Sequence, residues 1–209
     1  TWAKDLTDTQ NSGTGFSGPR IADAFNRPAE RGDNVVIRPH RFYGTAIYDL
    51  PVGRGKRWLG GAPGILDAVL GGWRVSWVVV MQSGQFFSPT FAGFDPSNTN
   101  TVGGRPDRIG SGKLSSGQSL NHWFDAQAFK IPGCPDADSV CKAPANIGRF
   151  GNSGVNVLRG PASSNTDFSA MKNFRIAEGK TLRLQLLMTN AFNHPNFSNP
   201  AANIFRRTV

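Results

Sequence analysis

At 209 residues with a formal net charge of +9, the chain has room for one sizeable domain, and its basic excess brings nucleic acid, an anionic membrane surface or an acidic ligand into view. Nucleic acid is set aside, because the charges are scattered, the densest cluster is only Arg54, Lys56 and Arg57, and no aromatic stacking array is interleaved with it. No run of about 18 apolar residues is present, which excludes a conventional transmembrane helix, but a barrel strand crosses a bilayer with about ten alternating residues and escapes that test.

With 25 glycines, 15 phenylalanines and 5 tryptophans against 2 cysteines and 3 methionines, strands, turns and long loops are favoured over packed helices. Residues 38–50 set Phe42, Gly44, Ala46 and Tyr48 opposite Arg41, Tyr43, Thr45 and Asp49, and Pro51 ends the run. Residues 64–70 read as a short connective helical turn before Gly71 and Gly72. Residues 72–87 place Trp73, Val75, Trp77, Val79 and Met81 in one register and Arg74, Ser76 and Gln82 in the other, with Val78 and Val80 blurring the polar side. Residues 166–176 set Phe168, Ala170, Phe174 and Ile176 against Asp167, Ser169 and Asn173, and a tight hairpin at 177–180 leads to the clearest strand, 181–192. There Leu182, Leu184, Leu186 and Met188 alternate with Thr181, Arg183, Gln185 and Thr189, and Leu187 is the one apolar intruder. At about 3.3 Å per residue and a tilt of about 45°, that length projects to ~28 Å, close to the ~25 Å apolar band of an outer-membrane barrel.

Short links alternate with long polar stretches, as in barrels with short periplasmic turns and long outer loops. With 177–180 periplasmic, residues 83–165 become a long extracellular loop region and 51–71 lie on the periplasmic side. The expected fold is therefore all-β: a partial antiparallel transmembrane β-barrel wall of about four to five strands with long extracellular loops. Arg183 and Gln185 are then lumen-facing. A secreted or surface β-rich adhesin or carbohydrate-binding module is the rival, since a β-sandwich shares the strand signal and would bury Trp73, Trp77 and Phe168.

Motifs for chemistry are few. Cys134 and Cys141 sit in the long loop, where a disulfide is the natural reading outside the cell; the small ring gives about 2.5 kcal/mol in the chain-entropy model. A zinc site needs two more ligands, and His40, His122 and His194 are mutually distant. Gly179-Lys180-Thr181 lacks the earlier glycine of a phosphate loop, since position 174 is Phe174. Arg31-Gly32-Asp33 is a chance-level adhesion tripeptide, and Asp95 to Asn100 lacks a full calcium-loop pattern. No catalytic site, metal or cofactor is expected, and the chain is read as non-enzymatic. The low-period loop holds the candidate ligand contacts Arg105, Arg108, Trp123 and Arg149.

Several phrases in fixed order resemble a family. They are Thr1-Trp2-Ala3-Lys4, Phe25-Asn26-Arg27-Pro28-Ala29-Glu30-Arg31-Gly32, His40-Arg41-Phe42, Leu50-Pro51-Val52-Gly53-Arg54-Gly55-Lys56-Arg57, Leu70-Gly71-Gly72-Trp73 and Gln82-Ser83-Gly84. Further on come Gly104-Arg105-Pro106-Asp107-Arg108, Trp123-Phe124-Asp125, Phe150-Gly151-Asn152-Ser153-Gly154, Leu158-Arg159-Gly160-Pro161 and Asn190-Ala191-Phe192-Asn193-His194-Pro195-Asn196-Phe197. Together they cover nearly the whole chain, and in them it resembles the Oar-like, carboxypeptidase-regulatory-type TonB-dependent receptors of acidobacterial type. The resemblance implies a barrel of about 22 strands around an N-terminal plug, in the outer membrane of a Gram-negative bacterium, importing an unknown extracellular ligand on contact with inner-membrane TonB. Its partners would be outer-membrane lipid, the remainder of the barrel and the plug. No plug, TonB-contact motif or final strand with a terminal aromatic is recognised, and the chain starts at Thr1 without Met. It is therefore expected to be a near-terminal fragment, residues 1–209, of one such barrel domain, and four strands alone are not expected to insert.

Overall fold

The computed structural model describes residues 1–8, 21–135 and 144–204, which divide into two compact units. The first to consider comprises Arg41–Gln82 and Ser163–Asn196. Its strands are β1 (Arg41–Asp49), β2 (Trp73–Gln82), β3 (Ser163–Ala177) and β4 (Lys180–Met188), with helix α1 (Gly64–Leu70) between β1 and β2. They form one antiparallel sheet in the order β4-β3-β2-β1.

The register explains why each strand alternates as it does. Ala46, Trp77, Phe168 and Met188 are successive cross-strand partners, so they lie in one row on one face. The adjoining row, Ile47, Ser76, Ser169 and Leu187, lies on the other. Continued along the strands, the apolar registers of all four sequences merge on a single face carrying Phe42, Tyr48, Trp73, Trp77, Phe174 and Leu184 among others. The Trp77 and Phe168 rings meet there at 5.4 Å, a favourable aromatic separation. The polar registers merge on the opposite face. Ser76 and Ser169 hydroxyls lie 2.7 Å apart on it, and Arg74 grips Asp49 with two bonds of 2.5 and 3.0 Å. Arg183 and Gln185 lie on this polar face, where Arg183 Nε donates to Asn173 Oδ1 at 3.2 Å. One face is mainly apolar and carries exposed Phe42, Tyr48, Leu182 and Leu186, while the other mixes its polar side chains with Tyr43, Ile47, Val78, Val80 and Leu187; an exposed apolar face on an open sheet is the inverse of a buried sandwich core and suits a wall against lipid.

The sheet is not closed: β1 and β4 are its two edges. Arg41, Gln82 and Ser163 are partners at one end, so the long segments of the chain join the sheet there. The connection carrying α1 and the β3–β4 hairpin lie at the other end. In that hairpin Gly179 supplies a φ of +71°, a left-handed conformation that glycine adopts without steric cost.

Strand limits differ from the alternation in two instructive places. The expected strand 72–87 stops at Gln82, because Phe86–Phe87 leaves the sheet to pair with Leu158–Arg159. The expected 181–192 strand stops at Met188, after which the Asn190 side chain closes a turn by exchanging bonds of 3.0 Å with the His194 backbone.

The second unit comprises Thr1–His40, Ser83–Ala162 and Phe197–Val209. Within the 83–165 stretch expected as the long extracellular loop region, the described residues of Ser83–Ala162 gather with Ile204 around a core that includes Phe87, Phe91, Phe129, Ile131 and Leu158. Short ladders hold it: Leu6–Thr7 with Gly32–Asp33, Phe86–Phe87 with Leu158–Arg159, and Asp107–Arg108 with Phe129–Lys130. At its base Gly160 N–H donates to Gln85 O at 2.9 Å, and a side chain at Gly84 would run into the Gly160 carbonyl. Among the described residues no helix is long and apolar enough to cross a membrane.

Candidate functional site

Two arrangements in the second unit bear on function: a polar clamp and an open cleft. The clamp joins three family phrases that are far apart in sequence. Glu30 closes the short helix Arg27–Glu30 and is fully buried at 0% exposure. Arg105 meets it with Nη1 to Oε2 at 2.9 Å and Nη2 to Oε1 at 2.7 Å, and the backbone N–H groups of Ala22 and Asp23 donate to the same carboxylate. A buried carboxylate needs such a fork and extra donors to offset its desolvation.

Two residues further on, Asp107 accepts from Arg149 Nη1 and Nη2, each at 2.8 Å, and from Asn152 N–H at 3.0 Å. Burial pushes this carboxyl up, but the Arg149 fork and the Asn152 N–H outweigh it and hold the group below its ordinary value of 3.8. The Asn152 side chain in turn accepts from Arg108 N–H at 2.8 Å. A Cβ at Gly151 would strike the Arg105 carbonyl, so the phrase around Asn152 needs glycine there for backbone to approach backbone. Asn156 completes the knot by bonding Ser88 and the Asp33 carbonyl.

The cleft has a volume of about 340 Å³ and is lined by residues including Phe86, Lys113, Gln118, Trp123, Phe124 and Arg159. Phe124 anchors it, with its ring edge-on to Phe87 at 5.8 Å and to Phe129 at 6.2 Å. That holds Trp123 at the wall, where its indole Nε1 donates to the Arg159 carbonyl at 2.8 Å. The Arg159 guanidinium lies 4.9 Å above the Phe86 ring, a cation–π distance. The Lys113, Gln118 and Arg159 side chains are exposed. Two aromatic walls and two cations suit a ligand with a flat or apolar body and an anionic group.

The four arginine and tryptophan residues singled out from sequence therefore take different places. Trp123 lines the cleft. Arg108 braces the turn leading into it, donating to Gly110 O at 2.8 Å and Ser111 O at 3.0 Å. Arg105 and Arg149 are committed to the carboxylates of the clamp. Phe86, Lys113 and Arg159 also line the cleft; Arg159 stands in sequence only within the phrase Leu158-Arg159-Gly160-Pro161, and nothing local marks Lys113. Cys134 is buried, while Cys141 lies outside the described residues. Asp95, in the stretch compared with a calcium loop, accepts from Ser97 Oγ at 2.6 Å.

An open antiparallel sheet with one mainly apolar face and one more polar face is the pattern of part of an outer-membrane barrel wall. The chain matches the outer membrane beta barrel domain family over residues 1–208, and it belongs to that family, which places it in the outer membrane of a Gram-negative bacterium. No curated protein and no solved structure gives a match.

Proposed function

We propose that this chain is part of a TonB-dependent receptor of the Oar-like type, a transporter rather than an enzyme, whose external unit captures a ligand that then passes through the barrel lumen. Unpaired backbone at the edges of β1 and β4 is not tolerated in hydrocarbon, which calls for further strands on both sides. The carrying observation is that the described residues of 83–162 fold, with Ile204, around a hydrophobic core and hold a cleft lined by Trp123 and Arg159. A simple structural barrel has no need of that. On this reading Arg183 and Gln185 face the lumen, and the partners are the rest of the barrel, a plug, outer-membrane lipid and TonB.

The test uses the complete receptor in a host with and without TonB, screened for nutrients whose uptake it supports. The expected result is TonB-dependent uptake that falls at least about tenfold in Trp123→Ala, with the variant still running as a heat-modifiable barrel. Uptake independent of TonB, or unaltered by the substitution, overturns the reading.

A further inference from the structure

Lys172 is an anomaly on the apolar face. It lies in the row of Trp73 and Leu184, yet its residue is only 4% exposed. Its Nζ donates to the carbonyls of Asp67, at 3.2 Å, and Gly71, and it rests 5.1 Å from the Phe174 ring and 5.8 Å from that of Trp73. Those carbonyls belong to the last turn of α1 and to the residue after it, the negative end of a helix. Trp73 adds a second tie, its Nε1 donating to Val69 O at 2.9 Å. The connection 51–72 is thereby fastened over the same face that meets lipid.

That placement decides what α1 touches. Ile65, Leu66, Val69 and Leu70 form one stripe along it, and Ile65 is 82% exposed and Val69 59%. Asp67 lies off the stripe and turns its carboxylate to the Arg54 N–H at 2.5 Å. Trp58 and Leu59 are exposed beside Arg54, Lys56 and Arg57. A stripe on the lipid side of a barrel wall, at the end of the strands, lies at the depth of the headgroups, where tryptophans and basic residues also concentrate.

We propose that the 51–72 connection is a membrane-interface anchor that seats α1 in the bilayer surface and binds anionic phospholipid through Arg54, Lys56 and Arg57. This rests on the barrel reading and on the short links being periplasmic. The occupant is a phospholipid rather than a protein because an exposed apolar stripe, an exposed tryptophan and three exposed cations share one connection at the strand ends, and the three cations match an anionic surface.

The experiment places a spin label at Val69→Cys in the complete barrel, refolded in phosphatidylcholine vesicles with and without phosphatidylglycerol. The label is expected to be accessible to lipid-soluble oxygen and shielded from a water-soluble nickel relaxant. Amide exchange across 65–70 is expected to slow with phosphatidylglycerol and to speed up by about fivefold for each of Arg54, Lys56 and Arg57 changed to glutamine. A label open to the nickel reagent in an inserted barrel overturns the anchor alone. Shielding that persists in lipid-free detergent and rises with protein concentration assigns the stripe to a second copy and also overturns it. A chain that never becomes heat-modifiable overturns the barrel reading beneath.

Discussion

Glu30 and Arg105, 75 residues apart in sequence, meet as a forked ion pair with side chains 0% and 4% exposed. The pair ties the N-terminal segment to the long segment between β2 and β3. Removing one partner strands the other charge away from water, so Glu30→Ala in the complete barrel is expected to destabilise this unit by about 3–5 kcal/mol. Replacing both by Leu and Met costs less than either single change. Amide exchange in the second unit measures both, and equal single and double effects would contradict the clamp.

Asp107 gives a pH signature. Its folded value lies below the ordinary one, so its contribution is present above the unfolded carboxylate value and is lost as pH falls through the folded value. Protection against added protease around 104–152 is expected to fall below about pH 4, and Asp107→Asn is expected to be less protected at neutral pH and to lose that acid step. An acid step unaltered in Asp107→Asn assigns it to another carboxylate.

The two faces of the sheet predict opposite responses at adjacent positions. Val79 lies on the apolar face and Val78 on the polar one, where it pairs with Asp167. Val79→Arg is expected to cost about 2–4 kcal/mol in lipid, while Val78→Arg is tolerated. Unfolding of the complete barrel in vesicles reads the difference, and a reversed order would invert the wall.

At the base of the long segment, Gly84→Val is expected to break the contact with Gly160 and open the ladder between Phe86–Phe87 and Leu158–Arg159. The check is faster amide exchange at those residues with the strand residues of β2 and β3 unchanged. Uniform acceleration in both sets would mean that the base and the wall unfold as one.

The wall is legible in sequence because period two survives translation into structure: Trp77, Phe168 and Met188 each fall in the apolar register of their own strand, and the sheet puts them in one row. The start of β3 at Ser163 is not, since Ser163, Ser164 and Asn165 carry no apolar alternation. The core of the second unit was invisible for a related reason. Phe87, Phe129 and Ile204 have no mutual period, and only tertiary contact brings them together. Glu30, Arg105, Asp107 and Asn152 stand inside the family phrases while Arg149 and Asn156 stand outside them, but sequence has no means of pairing Glu30 with Arg105 across 75 positions, and an isolated arginine in a loop carries no sign of burial. Lys172 carries no mark within its alternating strand, because its partners are carbonyls at the end of a helix far away in sequence.

The pinned base between Gln85 and Gly160 has a consequence for how such barrels diversify. Because the two feet of the segment are fastened to each other, and closure entropy grows only slowly with length, insertions are expected at exposed stretches such as 115–122, which leave the Glu30–Arg105 pair and the Phe129 core in place. New ligand preferences can then arise in such turns while the wall keeps its register.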